Sequence, residues 1–359
     1  MTALMTGDSQ RVHTVDVLRG FAMLGVIAVH ARAAVDWPWH GYVVNRAAPV
    51  FLMLMGVSAE FFRQRHARAG RAGLAKAYLG ATARRLLVPF WSWLAVLAVV
   101  ALVAGTGPRS SAEWLLSPFG YVAWAGPTWL LTVIALISLA VPVLHFMIAR
   151  LGPAVVGALG LAVTVLCHLN ALAVIDALRP VLPLRPEMPG FFLFWVFAPS
   201  YVWHVVAGMW LGRRRAHVTP DLFSVAVLAL IWGYWGIAQL AASRPFLANG
   251  LRGALDVPLT IVLLGLVQLL ARSNVLGMPL AFVGRASWGV YLGHSLVLAT
   301  LQFHGHRLQF GDLETRLVYF AGLSLAGLLL TILGRTLRSL AARRVPILGR
   351  TTLAPPKNS

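Results

Sequence analysis

The chain contains one cysteine, Cys167, and only 11 acidic residues in a length of 359. A single cysteine within an apolar run excludes an intramolecular disulfide and a cysteine-based metal site. Charged residues make up 11% of the chain, whereas a soluble domain carries roughly 25%. No polar stretch is long enough to form a soluble domain beside a single membrane anchor. These shortages exclude a disulfide scaffold, a disordered chain and an ordinary soluble enzyme.

Hydrophobic residues make up 59% of the chain and are grouped into runs that glycine, proline and charge clusters separate. A membrane-spanning helix needs about 20 mostly apolar residues. On that length the runs predict ten spans, near 14–34, 47–63, 86–105, 127–148, 153–174, 190–211, 222–241, 253–271, 278–302 and 317–337. We therefore expect an all-α, polytopic transmembrane helical bundle. It would form one domain over residues 1–359, with a short N-terminal segment at 1–13 and a basic tail at 338–359.

The chain has 30 basic residues against 11 acidic ones, a formal net charge of +19. In a soluble protein this excess would suggest nucleic acid as a partner. In a polytopic membrane protein it is better explained by the enrichment of Lys and Arg in cytoplasmic loops, so we expect no nucleic-acid partner. The basic residues cluster after the second span, after the sixth span and in the tail. An even number of spans separates these segments, so we expect both termini in the cytoplasm and a multi-pass protein of the cell membrane.

The first span carries ionisable side chains at a depth where each has a cost of a few kcal/mol and is a functional hypothesis by default. Asp16 and Arg19 are three residues apart and can pair on one helix face. Arg19 and His30 are eleven apart, which is about 20° beyond three turns, with an axial rise of roughly 16 Å. The two side chains therefore face the same way. The structural alternative is that Arg19 reaches the headgroups and His30 packs in the core.

Further polar groups fall in or beside the predicted spans, and a bundle that only had to fold would have little reason to bury so many. They are His40, His168, His204, His294, Asp36, Glu60, Asp256 and Arg285. Glu60, His204 and Asp256 are best explained as interhelical polar contacts.

Two segments together resemble the integral-membrane acyltransferase-3 family. In the first helix Asp16 shortly precedes the sequence Leu-Arg-Gly, and ten residues separate Arg19 from His30, as in that family's first helix. The stretch that contains Ser287, Tyr291 and His294 is similar to the family's late Ser-x-x-x-Tyr-Leu-x-His block.

Weaker matches follow in the family's order and extend the resemblance over most of the chain. Residues 49–58 are similar to its second-helix stretch, although Met55-Gly56 replaces the family's Ser-Gly pair. Arg65 and Arg68 resemble its Arg-x-x-Arg element, and Trp129 resembles the Trp that opens its fourth span.

A secondary resemblance connects the chain to membrane heparan-glucosaminide acetyltransferases. Trp39-His40-Gly41, followed by Pro49, Phe51 and Gly56-Val-Ser58, is similar to their first loop and second helix. Those proteins have an asparagine where His30 stands and a histidine near the place of Asp36.

The resemblance implies a membrane O-acyltransferase that uses an acyl-CoA, with acetyl-CoA expected, and a hydroxyl on a sugar, glycan or hydrophobic natural product. His30 would be the general base, because an imidazole titrates near neutrality and such catalysis contributes about 10²–10⁴-fold. Arg19 would assist it. The donor phosphates would bind Arg19, Arg65, Arg68, Arg84 and Arg85, because guanidinium groups pair well with phosphate. Direct transfer and a covalent acyl-histidine both remain open.

The remaining candidates would support His30 or the acceptor. Ser287, Tyr291 and His294 share one helix face and would line an acceptor cleft or support His30. Asp36 and His40, four residues apart, would lie near the acceptor on the opposite side of the membrane. We expect no metal, because no His-x-x-x-His spacing occurs within a span, and no permanently bound cofactor.

Two other functions are compatible with the residues. A proton-coupled secondary transporter could use intramembrane histidines as a relay, but the halves of the chain show no repeat. A non-catalytic scaffold of the same fold is the other alternative, and the altered Met55-Gly56 motif supports it.

Overall fold

The computed structural model describes residues 7–31, 47–103, 105, 111–116, 129–169, 198–240, 243–271, 273, 275–303 and 312–344. Nearly all of these residues are helical. The helices are α1 (Gly7–His30), α2 (Ala47–Arg68), α3 (Leu74–Thr82), α4 (Val88–Val103), α5 (Ser111–Leu116), α6 (Trp129–Leu151), α7 (Pro153–Leu169), α8 (Val202–Arg213), α9 (Pro220–Leu240), α10 (Pro245–Leu270), α11 (Gly277–Phe303) and α12 (Leu313–Arg344).

The all-helical prediction agrees with this architecture, and the apolar helices identify a multi-pass membrane protein. Within the described residues, five helical segments are long and apolar enough to cross a bilayer: Leu74–Val103, Val133–Leu151, Pro220–Leu240, Leu251–Leu270 and Leu313–Gly334. Each overlaps one of the ten predicted spans, although the first begins twelve residues earlier than the predicted span 86–105. The total of ten spans and the side on which the termini lie stay predictions.

Helix α1 lies in the middle of the bundle, and the outer helices carry the lipid-facing surface. Val17, Leu18 and Ile27 of α1 are completely buried. By contrast, α9 exposes Ile231 and Trp232 by 59% and 67%. Large apolar side chains exposed on an outer helix are expected where lipid replaces water as the solvent. The burial of α1 therefore places its charged and polar residues in the interior of the protein.

One sequence expectation is corrected at the basic segment after α2. The segment was expected to be a loop, but it becomes helical again at Leu74. Helix α3 continues into α4 through a π-helical turn, Ala83–Leu87, which contains Arg84 and Arg85. A π turn inserts an extra residue into a helix and is frequent at functional sites. It changes the direction in which the two arginines project from an otherwise continuous helix.

Candidate active site

The site begins with the contact between α1 and α11, which glycine makes possible. A Cβ on Gly284 would collide with the main-chain carbonyl of Asp16, and one on Gly20 would collide with the carbonyl of Leu280. Small residues at a helix interface allow two backbones to approach closely. The contact pairs Gly20 with Gly284, and ten residues further along each helix His30 meets His294. The two helices are therefore parallel and in register.

His30 and His294 form a hydrogen-bonded pair. His30 Nδ1 lies 2.9 Å from His294 Nε2, and the ring planes are inclined by 16°. His294 Nδ1 lies 3.2 Å from the main-chain oxygen of Val290, which can only accept a hydrogen bond. His294 must therefore carry its proton on Nδ1, so its unprotonated Nε2 accepts a hydrogen bond from the Nδ1–H of His30. This arrangement leaves Nε2 of a neutral His30 unprotonated and able to take a proton.

The two histidines differ in exposure, which separates their possible roles. His294 is completely buried, whereas His30 is half-buried. Tyr291, which is 4% exposed, packs edge-on against His294 with the ring centroids 5.2 Å apart. A buried ring held between a main-chain oxygen and an aromatic edge has little freedom to turn. His294 is therefore a fixed hydrogen-bond acceptor for the more accessible His30.

Arg19, near the middle of α1, is held by two partners. Its Nη1 donates to Asp16 Oδ1 at 3.1 Å, the pairing that the three-residue spacing predicts. Its Nη2 donates to Ser58 Oγ at 3.2 Å, and the Ser58 hydroxyl donates in turn to the carbonyl of Leu54 at 2.8 Å. The Arg19 side chain remains 26% exposed. It is thus oriented by protein groups while part of the guanidinium stays accessible to a ligand.

A cavity of about 550 Å³ lies beside these groups, and we call it the arginine cavity. Arg19, Arg65 and Arg85 contribute cationic side chains to its wall, and Ser287 and Tyr291 of α11 contribute hydroxyl groups. His30 does not line it. Tyr291 lines the cavity and also contacts His294, so one aromatic ring joins the cavity to the histidine pair.

The structure brings together some of the predicted residues and leaves others apart. Arg68 and Arg84 are exposed and do not line the arginine cavity. Asp36 and His40 lie outside the described residues, and Trp129 is the first residue of α6.

Sequence reasoning missed two residues at this site, Ser58 and Tyr78, and left Arg285 without a role. All three line the arginine cavity. Ser58 ends the second-helix stretch, and neither resemblance gives it a role. Its position opposite Arg19 depends on how α1 packs on α2, which no pattern within either helix encodes.

The other buried polar groups belong to separate contacts. His204 Nε2 lies 3.4 Å from Asp256 Oδ2 and connects α8 to α10, an interhelical polar contact as expected. Glu60, also expected to make an interhelical contact, instead accepts two hydrogen bonds from Arg63 within α2, at 2.6 and 2.9 Å, and its charged neighbours on other helices are 3.9 Å away. Neither of these two contacts provides a hydrogen-bond partner for His30 or His294.

Comparison with known proteins identifies the chain's family. The family model described as an acyltransferase domain, that of the acyltransferase-3 family, matches residues 12–335, about nine-tenths of the chain. No curated protein and no solved structure is significantly similar to it. The matched region contains α1 with Asp16, Arg19 and His30, and α11 with His294. The chain therefore belongs to the acyltransferase-3 family of membrane O-acyltransferases.

Proposed function

We propose that this enzyme transfers an acyl group, first of all acetyl, from a CoA thioester in the cytoplasm to a hydroxyl group. The acceptor would be a sugar, a glycan or a hydrophobic natural product, and the enzyme would act in the cell membrane. The observation that carries the proposal is the unprotonated Nε2 that the hydrogen-bond chain from Val290 through His294 leaves on His30.

The arginine cavity would hold the donor. Its volume of about 550 Å³ is within the range of roughly 300–1,000 Å³ that is usual for ligand sites. Arg65 and Arg85 would bind phosphate oxygens of CoA at the mouth, because guanidinium groups form bidentate, charge-assisted hydrogen bonds with phosphate. Arg19, fixed by Asp16 and Ser58, would bind the donor deeper in the cavity. The thioester would then reach the histidine pair beside Tyr291.

His30 would act as the general base of a direct transfer. Its Nε2 takes the proton of the acceptor hydroxyl while that oxygen bonds to the thioester carbonyl carbon. The carbon–sulfur bond then breaks, the ester is released, and the imidazolium of His30 returns its proton to the CoA thiolate. No metal or redox partner is needed for this balance.

His294 would stabilise the transition state selectively. When His30 becomes an imidazolium, its Nδ1–H bond to the neutral Nε2 of His294 becomes charge-assisted and therefore stronger. Only interactions that strengthen between the ground state and the transition state raise kcat. A neutral histidine thus supplies the hydrogen-bond acceptor that a carboxylate supplies in a Ser-His-Asp triad.

The proposal is tested by following the acyl group. Purified protein is incubated with CoA carrying a ¹⁴C-acetyl group and with lipid or polysaccharide fractions as acceptors. We expect label to enter one fraction as an ester that mild alkali removes, with one CoA thiol released per acetyl transferred. Absence of labelled ester from every fraction, with the CoA thioester left intact, would contradict acetyl-CoA as the donor.

A further inference from the structure

A second cavity, of about 430 Å³, lies between the end of α2, the start of α3 and the second half of α6. Four basic side chains line it: Arg63, His66, Arg71 and His145. Its described lining includes no carboxylate. We call it the α2–α6 cavity. It has a different set of lining residues from the arginine cavity, with Tyr78 common to both.

His145 forms part of the cavity wall but does not present a nitrogen to a ligand. The residue is 8% exposed, and its two ring nitrogens have almost no accessible surface. The ring lies against α2, near the main chain of Ala59 and with Nδ1 3.9 Å from Glu60 Oε2. Arg71, which is exposed and lines the cavity, is therefore the side chain that is open to a ligand here.

The charge around the cavity favours an anion. Glu60 is already occupied by Arg63, through two hydrogen bonds, and by Gln64 at 3.1 Å. Arg213 Nε also lies near this carboxylate, 3.9 Å from Glu60 Oε1. The single negative charge of Glu60 is therefore balanced by the positive charges of Arg63 and Arg213, and Arg71 contributes a further positive charge. An ammonium group entering with the ligand would meet no free carboxylate in the described lining.

The position of the cavity indicates a ligand from the membrane. Leu139, Val143 and Phe146 form an exposed apolar stripe on α6, with exposures of 53%, 58% and 61%. Phe146 also lines the cavity, and the Cζ of Arg150 lies 5.4 Å over its ring. The apolar stripe of α6 thus ends beside the cavity, where the guanidinium of Arg150 follows it. This order is expected where a helix reaches the depth of the lipid headgroups.

The turn after α2 brings Arg71 to this position. Gly70 has a positive φ of 60°, which closes the helix, and the amide of Arg71 donates to the carbonyl of His66 at 3.4 Å. The chain thereby folds back over the last turn of α2, and Arg71 forms part of the cavity wall.

We propose that the α2–α6 cavity binds the phosphate of an anionic phospholipid, with Arg71 as its main ligand and Arg63 beside it. The acyl chains of the lipid would lie along the Leu139–Val143–Phe146 stripe. Phosphatidylglycerol has the required chemistry, because its headgroup bears a phosphate and hydroxyl groups and no ammonium. The site is independent of the acyl-transfer chemistry proposed above.

The test measures which lipid the purified full-length protein retains. The protein is delipidated mildly in detergent and exposed to equal amounts of phosphatidylglycerol and phosphatidylcholine, and the bound lipid is measured by native mass spectrometry. We expect preferential retention of phosphatidylglycerol by the wild type. Arg71→Gln should reduce it about tenfold, the loss of one charge-assisted hydrogen bond. Lys76→Gln removes an exposed charge nearby and should leave retention unchanged.

Two results would overturn the proposal. One is equal retention of both lipids by the wild type. The other is unchanged retention of phosphatidylglycerol in Arg71→Gln when its thermal unfolding matches that of the wild type; a raised KM for acetyl-CoA in that variant would then assign the cavity to a donor phosphate.

Discussion

The hydrogen bond from His30 to His294 predicts a specific split between kcat and KM. In His294→Phe the ring is kept but the acceptor nitrogen is lost, so the Nδ1–H of a protonated His30 would have no partner. A hydrogen bond to a charged group contributes about 1.5–3 kcal/mol. At 1.36 kcal/mol per tenfold change in rate, this loss lowers kcat by about 10- to 150-fold.

The same reasoning predicts an unchanged KM for the donor, because the bond strengthens only in the transition state. His294→Gln offers an amide oxygen to the Nδ1–H of His30 and should recover part of the lost kcat. The assay is steady-state acetyl transfer over a range of acetyl-CoA concentrations, with thermal unfolding in detergent to check folding. Equal activity of the Phe and Gln variants, or a loss confined to KM, would refute the acceptor role of His294.

Three further predictions concern the surroundings of the pair. Ser58→Ala removes one of the two protein hydrogen bonds that orient Arg19, and should raise the KM for acetyl-CoA by up to about tenfold with little change in kcat; a fall in kcat alone would contradict this. Gly284→Ala places a methyl group against the Asp16 carbonyl, so it should destabilise the fold by about 1–3 kcal/mol and reduce acetyl transfer. The control Gly322→Ala places its methyl group in open space, and the same unfolding and transfer assays should show no loss of stability or of activity. Arg85→Ala should raise the KM for acetyl-CoA several-fold because Arg85 lines the arginine cavity, whereas Arg84→Ala should not, because Arg84 is also exposed but does not line it; equal effects of the two substitutions would contradict donor binding in this cavity.

Much of the helical framework could be predicted because apolar run length and helical spacing are local properties of a sequence. The (i, i+3) pairing of Asp16 with Arg19 follows from helix geometry alone. The helical segment from Leu74 to Thr82 was missed because its basic surroundings suggested a loop. Its Ala, Leu and Lys residues nevertheless favour a helix, and that signal was present in the sequence.

The connections between helices could not be predicted in the same way. His30 and His294 are 264 residues apart, and their contact depends on the glycine-mediated approach of α1 to α11. The partnership of Arg19 with Ser58 depends likewise on the packing of α1 against α2. The π turn that carries Arg84 and Arg85 is a rare conformation with no compositional signature in this segment.

The central claim is that His30 removes the acceptor proton, and the most direct measurement is the single-turnover rate of acetyl transfer in His30→Gln. The substitution keeps a polar side chain of similar size but provides no basic nitrogen. His217→Gln, at an exposed turn after α8, is the matched control. We expect His30→Gln to lose about 10²-fold or more of the rate while its unfolding temperature and its binding of acetyl-CoA stay those of the wild type. A single-turnover rate within about twofold of the control would contradict the role of His30 as the general base.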